Sequence, residues 1–326
     1  VAAESTADDA FSGGANGDFT DSAKYGRSQF TDFALLSANY EGVYALDRVE
    51  ELMQVIIPDF VGDTQITKDL FDYADLRALQ PAGGDRFIVA AVPQGSSAQE
   101  ATDWLRFDVA QYCKFAAVYW PWVQLFLPFP RVDEYVSPDI FAIRQMAFTV
   151  ANFDAWFAPA GLVRGRLTKP VDVEVVLTQG DRDALYGPGN IINPVQKFLT
   201  EGIVLWGQRT TQRTATALDR INVRRLMIII RKMLLASTRQ FVFEPNDAAT
   251  WKRVTNAVEP LMADIKSRRG VVDFKVICDA TTNTPIRIDR NELLCKVILQ
   301  PTKAAEVIVF ELNLTSATLG LDLPTT

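Results

Sequence analysis

Residues 221–251, INVRRLMIIIRKMLLASTRQFVFEPNDAATW, set the fold of the C-terminal third of the chain. Ile221, Leu226, Ile229, Ile230, Met233 and Leu234 recur at helical spacing and predict a helix over 217–236, with Arg224 and Arg225 near its start. So broad an apolar surface predicts burial on most sides. Residues 241–243 read as a short strand stopped by Pro245, and Asn246 or Asp247 caps the next helix. That helix, over 248–269, places Trp251, Val254, Val258, Leu261 and Ile265 on one stripe. Lys252, Arg253, Asn256 and Lys266 fall off the stripe, and Arg268 and Arg269 close the end. Pro260 inside the helix predicts a kink.

Downstream, 271–278, 293–299 and 306–314 read as strands. In the last, Ile308, Phe310 and Leu312 alternate with Val307, Val309 and Glu311, which predicts a sheet with one more exposed face. Residues 315–326 carry no periodicity and read as a terminal arm.

Upstream, residues 1–28 are Ala-, Ser-, Gly- and Asp-rich and read as a flexible segment. Element types then alternate: a helix over 43–52, a strand over 53–58, a helix over 67–79, and a strand over 86–93. A helix over 97–112, capped at Ser96 or Ser97 with Glu100 beyond, leads to a strand over 115–120. The strands are continuous apolar runs, as expected where both faces of a parallel sheet are covered. YWPW at 119–122 reads as an aromatic plug under an irregular Pro-rich loop, followed by a helix over 139–153. Residues 167–194 are less regular, with a turn at 187–190, and 202–206 is a core strand. The polar, Thr-rich run 212–218 is the best domain boundary. The expected architecture is α/β: a mainly parallel sheet covered by helices over 29–216, then a smaller α+β domain over 217–314.

Composition narrows the function. The chain has 326 residues and no histidine, which excludes Ser-His-Asp and Cys-His nucleophiles and the HExxH zinc motif. Cys113, Cys278 and Cys295 are too few and too scattered for a disulfide framework, and read as small buried apolar residues in a reducing compartment. No phosphate-cradling glycine motif occurs, and no apolar run is long enough to span a bilayer. The acidic cluster 69–75 reads as a solvated helix face. Arg224 or Arg225 is expected to pair with an acidic group, on this chain or a neighbour. Residues 1–100 carry 17 Asp and Glu against 6 Lys and Arg, whereas 201–270 carry 6 against 13. Opposite fields on one chain suit head-to-tail association of copies.

Several motifs match in order and spacing: SGGANG at 12–17, the aromatic-Pro-Trp step at 119–122, and the Phe-Ala-Pro-Ala run at 157–160. GIVLWGQRTT at 202–211 follows, with Trp206 and Arg209, then Asn-Val-Arg-Arg at 222–225. Phe-Glu-Pro-Asn-Asp at 243–247, with Glu244 and Asn246, precedes Trp251. Together they resemble the contractile tail sheath family of bacteriophages, pyocins and related injection machines.

The resemblance implies a subtilisin-like α/β domain without a catalytic triad, and a structural protein rather than an enzyme. It implies a helical homopolymer of hexameric rings around a tail tube protein, with baseplate and tail terminator proteins at its ends. Such a subunit would be assembled in the bacterial host cytoplasm and carried in the virion. No cofactor, metal, nucleic acid or membrane insertion is implied. Carried onto this sequence, Lys252, Arg253, Lys266, Arg268 and Arg269 would face the tube. Glu306, Val307, Ile308, Val309, Phe310, Glu311 and Leu312 would exchange as a strand between subunits. The family's N-terminal arm is missing before Val1, giving the expectation of a trimmed fragment that is monomeric in solution. Rival readings are an α/β enzyme using carboxylates and a nucleic-acid-binding module.

Overall fold

The computed structural model describes residues 31, 41–49, 53–80, 84–128, 132–187 and 191–306. The alternating pattern builds a mixed sheet. Strand β1 (Met53–Val55) leads through helix α1 (Thr64–Leu79) to β2 (Arg86–Ala91). Helix α2 (Ala98–Asp103) continues as a π-helix over Trp104–Val109 and returns to β3 (Ala116–Trp120). Ser97 and Glu100 close a reciprocal capping box on α2, as their spacing predicts. β1, β2 and β3 pair in parallel.

Three further strands form a separate small sheet. β4 (Val123–Leu127) pairs antiparallel with β5 (Val132–Val136) and with β6 (Asp172–Val173). The expected irregular loop is therefore half strand, because Val123, Leu125 and Leu127 are apolar enough to form a ladder before Pro128 ends it. Trp120 and Tyr119 are fully buried, and the Trp122 indole donates to the Val92 carbonyl at 2.8 Å, so the aromatic step is a plug. Helix α3 (Pro138–Asn152) and the short α4 (Gly161–Arg164) follow. Helix α5 (Gln179–Tyr186) falls where no helix was expected. A capping box between Thr178 and Asp181 starts it, and that local signal was present in the sequence.

β7 (Ile192–Phe198) joins β3 in parallel, and β8 (Gly202–Leu205) pairs antiparallel with β7. The sheet order is β1-β2-β3-β7-β8. Successive residues point to opposite faces. Ile88, Ala90, Val118 and Trp120 join one apolar cluster with α1, while Phe87, Val89, Ala117 and Tyr119 join another with α3. Both faces are covered, which is why these strands read as unbroken apolar runs.

After a single turn at Ala217–Asp219, helix α6 (Ile221–Thr238) begins. Its residues divide between two cores: Ile221 and Ile228 pack under the sheet, and Leu226 and Ile230 pack against the C-terminal unit. That unit comprises helix α7 (Ala248–Ser267), strand β9 (Val271–Ile277), the short α8 (Pro285–Asp289) and strand β10 (Lys296–Pro301), antiparallel to β9.

Three expectations need correction, and a fourth falls almost wholly outside the described residues. The strand at 241–243 is a turn: Val242 N–H donates to the Arg239 carbonyl and Glu244 N–H to that of Phe241, and among the described residues no strand lies alongside to complete a ladder. Of the helix expected at 43–52, the described part is a 3₁₀ segment over Gly42–Arg48 that turns extended at Val49, and 50–52 lie outside the described residues. Trp206 lies past the end of β8 and is 42% exposed, set edge-on to Phe198 at 4.8 Å. Glu306 is outside any strand, and 307–314, like the glycine-rich run at 12–17, fall outside the described residues.

Candidate assembly surfaces

Helix α7 is held at its start by the residues before it. The Asp247 carboxylate accepts from Thr250 N–H at 2.9 Å, a side-chain cap that satisfies one of the unpaired donors of the first turn. Asn246 accepts from the Trp251 indole at 2.7 Å and donates to the Glu292 carbonyl at 3.0 Å. Glu244 pairs with Arg253 at 2.8 Å. The Glu-Pro-Asn-Asp run is thus a joint in which Glu244, Asn246 and Asp247 each hold a different element.

Val254, Val258, Met262 and Ile265 form the buried stripe of α7, with Met262 where the sequence reading placed Leu261. Lys252, Asn256, Glu259, Ala263 and Lys266 lie on the opposite, exposed side. The five basic candidates are not equivalent. Arg253 is held by Glu244, and Lys266 pairs with Asp273 at 2.8 Å. Arg268 pairs with Asp154 and lies over the Trp156 ring, whose indole donates to the Arg268 carbonyl at 3.0 Å. Among the described residues, Lys252 and Arg269 make no ion pair and project from the surface.

A second constellation surrounds Glu306. Arg220 donates to both of its carboxylate oxygens at 2.7 and 2.8 Å, Gln208 donates at 3.2 Å, and the Tyr186 hydroxyl at 3.3 Å. Burial and the nearby Glu306 charge push the Tyr186 phenol up. Arg209 lies beside this group, donating to the Tyr186 carbonyl at 2.9 Å and facing Asp219 at 3.8 Å. Asn193 clamps the same turn, accepting from Arg209 N–H at 2.7 Å and donating to the Val118 carbonyl at 3.1 Å. A Cβ on Gly207 would stand 2.9 Å from Asn193 Cα, so a residue larger than glycine would disturb this turn. The motif around Trp206 and Arg209 therefore fixes where the chain at Glu306 meets the sheet unit. Arg220, Gln208 and Tyr186 were missed in the sequence, because their partner lies 86 to 120 residues away.

Among the described residues of this chain, neither Arg224 nor Arg225 pairs with a carboxylate. Arg224 donates to Gln212 at 2.9 Å and stacks over Phe115 at 4.7 Å. Arg225 is 1% exposed and donates to the Met146 carbonyl at 3.3 Å, while its Nε and Nη1 have no partner. Burial pulls its pKa down to about 10. The physical reason is placement: both side chains enter from the buried first half of α6, where aromatic and carbonyl groups line the path.

Among the buried carboxylates, Asp85 gathers the most basic partners. It is 1% exposed and meets Arg86 at 2.9 Å, Lys232 at 3.0 Å and Arg77 at 3.2 Å. Burial pushes its pKa up, but the hydrogen bonds from Arg77 and Lys232 and the Arg86 charge outweigh it and hold the carboxyl below its ordinary range. Lys232 comes from α6, so this cluster ties α6 to the sheet.

The 69–75 acids do not converge. Asp69 is buried and accepts from Thr31 and Gln65, Asp72 from Gln111, and Asp75 from the Cys113 thiol. The burial of Asp69 corrects the solvated-face reading. A groove of about 810 Å³ runs along α6, past Phe243 and beside β10, and its one lining carboxylate, Glu244, is held by Arg253. Such a groove has no pair of acids for general acid–base chemistry. Among the described residues, no helix is long and apolar enough to cross a membrane.

Residues 214–315 match the family model of the phage tail sheath C-terminal domain. The tail sheath protein of Vibrio phage KVP40 is 36% identical over 170 residues, covering 52% of this chain and 25% of that protein. That of Enterobacteria phage T4 is 33% identical over 167 residues, covering 51% and 25%. The chain thus spans about a quarter of the length of these curated relatives. Among solved structures, the anti-feeding prophage helical sheath in its contracted state superposes with a TM-score of 0.70 at 23% identity, over 86% of this chain and 74% of that one. The contracted sheath of the extracellular contractile injection system PVC gives 0.64 at 23% identity, over 75% and 68%. The fold is therefore the mixed α/β fold of contractile sheath subunits, and in sequence the chain is similar to the phage tail sheath C-terminal domain over residues 214–315 and to phage tail sheath proteins over about half of its length.

Proposed function

We propose that this chain is the structural subunit of a contractile phage tail sheath, which polymerises around a tail tube and contracts to drive the tube through a host envelope. The observation that carries this reading is the match over residues 214–315, which takes in α6, the Glu-Pro-Asn-Asp joint, α7 and the β9–β10 hairpin. The likeness to contracted injection-system sheaths supports the same class of machine. On this reading the protein is not an enzyme, the sheet unit is a subtilisin-like scaffold without a triad, and the domains divide at 216/217. It would be carried in the virion after assembly in the host cytoplasm, with copies of itself, the tube, the baseplate and the tail terminator as partners.

Lys252 and Arg269 are the strongest tube-facing candidates because no ion pair among the described residues engages them. Arg253, Lys266 and Arg268 would add to that face only by leaving their present partners. Residues 306–312 would exchange as a strand with a neighbouring subunit, where main-chain hydrogen bonds give strength and the arm gives reach. Contraction would release free energy by exchanging one set of interfaces for a better one, with no nucleotide consumed.

The test is tube-templated assembly of the full-length protein followed by electron microscopy. Striated tubes are expected from the unaltered protein. Lys252→Glu with Arg269→Glu should reduce assembly several-fold while circular dichroism and the melting curve stay unchanged. Undiminished assembly by that double variant would remove the tube-facing assignment, and absence of tubes from the unaltered protein would remove the sheath reading.

A further inference from the structure

Two of the three cysteines, 17 positions apart in sequence, meet in the fold. The β9–β10 ladder pairs Ile277 with Lys296, Val276 with Val297 and Lys275 with Ile298. One step beyond the ladder, the same register sets Cys278 opposite Cys295. Directly opposed residues of antiparallel strands have Cα atoms about 4.5–5.5 Å apart. A disulfide needs about 4.4–6.8 Å. Both cysteines also belong to the same apolar cluster, and each thiol shifts the other's titration.

Asn283 holds the two chain ends together. It is 2% exposed, donates to Cys278 Sγ at 3.8 Å and to the Leu294 carbonyl at 3.3 Å, and accepts from Leu294 N–H at 2.7 Å. Cys278 is buried, whereas Cys295 is half-buried and lines the apolar groove beside β10. A small reagent in that groove reaches Cys295 first. Cys113 is different: it is fully buried beside Asp75, far along the chain, under the sheet unit.

We propose that Cys278 and Cys295 form a modification site, a dithiol that closes to a cross-strand disulfide when the protein meets a small-molecule disulfide such as oxidised glutathione. In the first step the Cys295 thiolate attacks one glutathione sulfur, forming a mixed disulfide and releasing one glutathione thiol. The Cys278 sulfur then attacks the Cys295 sulfur and releases the second. Two protein thiols are oxidised, one glutathione disulfide is reduced to two thiols, and the protons leave on the glutathione. Burial pushes both thiols up, Cys295 to about 11, so closure is slow at neutral pH. The product closes the loop 279–294, which carries α8 and receives the Asn246 hydrogen bond at Glu292, so it stiffens the joint that starts α7.

The test is to hold the folded protein with oxidised glutathione, quench in acid, unfold, alkylate free thiols and map peptides by mass. The expected result is a protein lighter by two hydrogens, with one 278–295 cross-link, a fully alkylated Cys113 and no retained glutathione. The closed form should melt several degrees higher than the reduced form. Cys278→Ser should keep glutathione at Cys295 and show no cross-link. The proposal is overturned if both cysteines stay alkylatable after prolonged exposure. A stable mixed disulfide at Cys295 in the unaltered protein, or a cross-link to Cys113, overturns it equally. None of these outcomes depends on whether the protein assembles into a sheath.

Discussion

The sheet unit and the C-terminal unit bury their apolar residues in different ways. β2 and β3 lie in the middle of the sheet with apolar clusters on both faces, so nearly every side chain from Phe87 to Ala91 is out of water. In the C-terminal unit the hairpin packs one face on α7, and the groove along α6 and β10 stays open. β9 and β10 alternate between exposed and partly buried residues along most of their length. A closed unit resists change everywhere, whereas an open one leaves edges and a helix face for another molecule. That contrast fits a scaffold joined to an assembly module.

The largest test of the contrast is Asp85→Asn. Removing the carboxylate takes away the ion pair between Asp85 and the buried Arg86, and breaking a buried pair in this way costs about 3–5 kcal/mol. Chemical denaturation should show a loss of that size. The pH dependence follows from the same group. The folded pKa of Asp85 lies below the unfolded value of about 3.9, so its stabilising contribution is present above that value and fades as pH falls through the folded one. The variant should show a shallower loss of stability below about pH 4 than the unaltered protein.

A matched pair of truncations compares the cores themselves. Ile88→Ala, at a fully buried central-strand position, should cost about 4–5 kcal/mol, toward the top of the usual range for such changes. Ile230→Ala, beside the groove, should cost about 2–3 kcal/mol, because water and side chains can enter the space left behind. Equal losses in urea titrations would mean that the groove gives the C-terminal unit no extra freedom to relax.

The smallest effect is expected where Glu306 meets Arg220. Both side chains are about a quarter to a third exposed, at 27% and 30%. A double-mutant cycle of Glu306→Gln and Arg220→Gln should give a coupling of about 0.2–1 kcal/mol. Limited proteolysis after residue 306 should quicken in either variant if the pair holds that end of the chain to the sheet unit.

Local pattern made much of this legible. The apolar runs at 86–91 and 116–120, the capping pairs at Ser97 and Asp247, and the 3.6-residue stripe of α7 are all statements about near neighbours, and each stands in the structure. Misses came where local chemistry allowed two outcomes. Residues 241–243 have β-forming side chains but, among the described residues, no strand beside them, and α5 carries a clear cap on a short polar helix.

By itself, the sequence determined the alternation of elements, the lack of histidine chemistry and the family likeness, because each depends on residue type and spacing along the chain. Only the tertiary structure decided who meets whom. It gave Arg224 an aromatic face and a glutamine, placed Lys232 on Asp85, brought Glu306 back to Arg220, and gathered Cys278 and Cys295 into one cluster. Those pairings depend on register and on how helices lie across a sheet, quantities set by the sum of many weak contacts and not by any one stretch of chain.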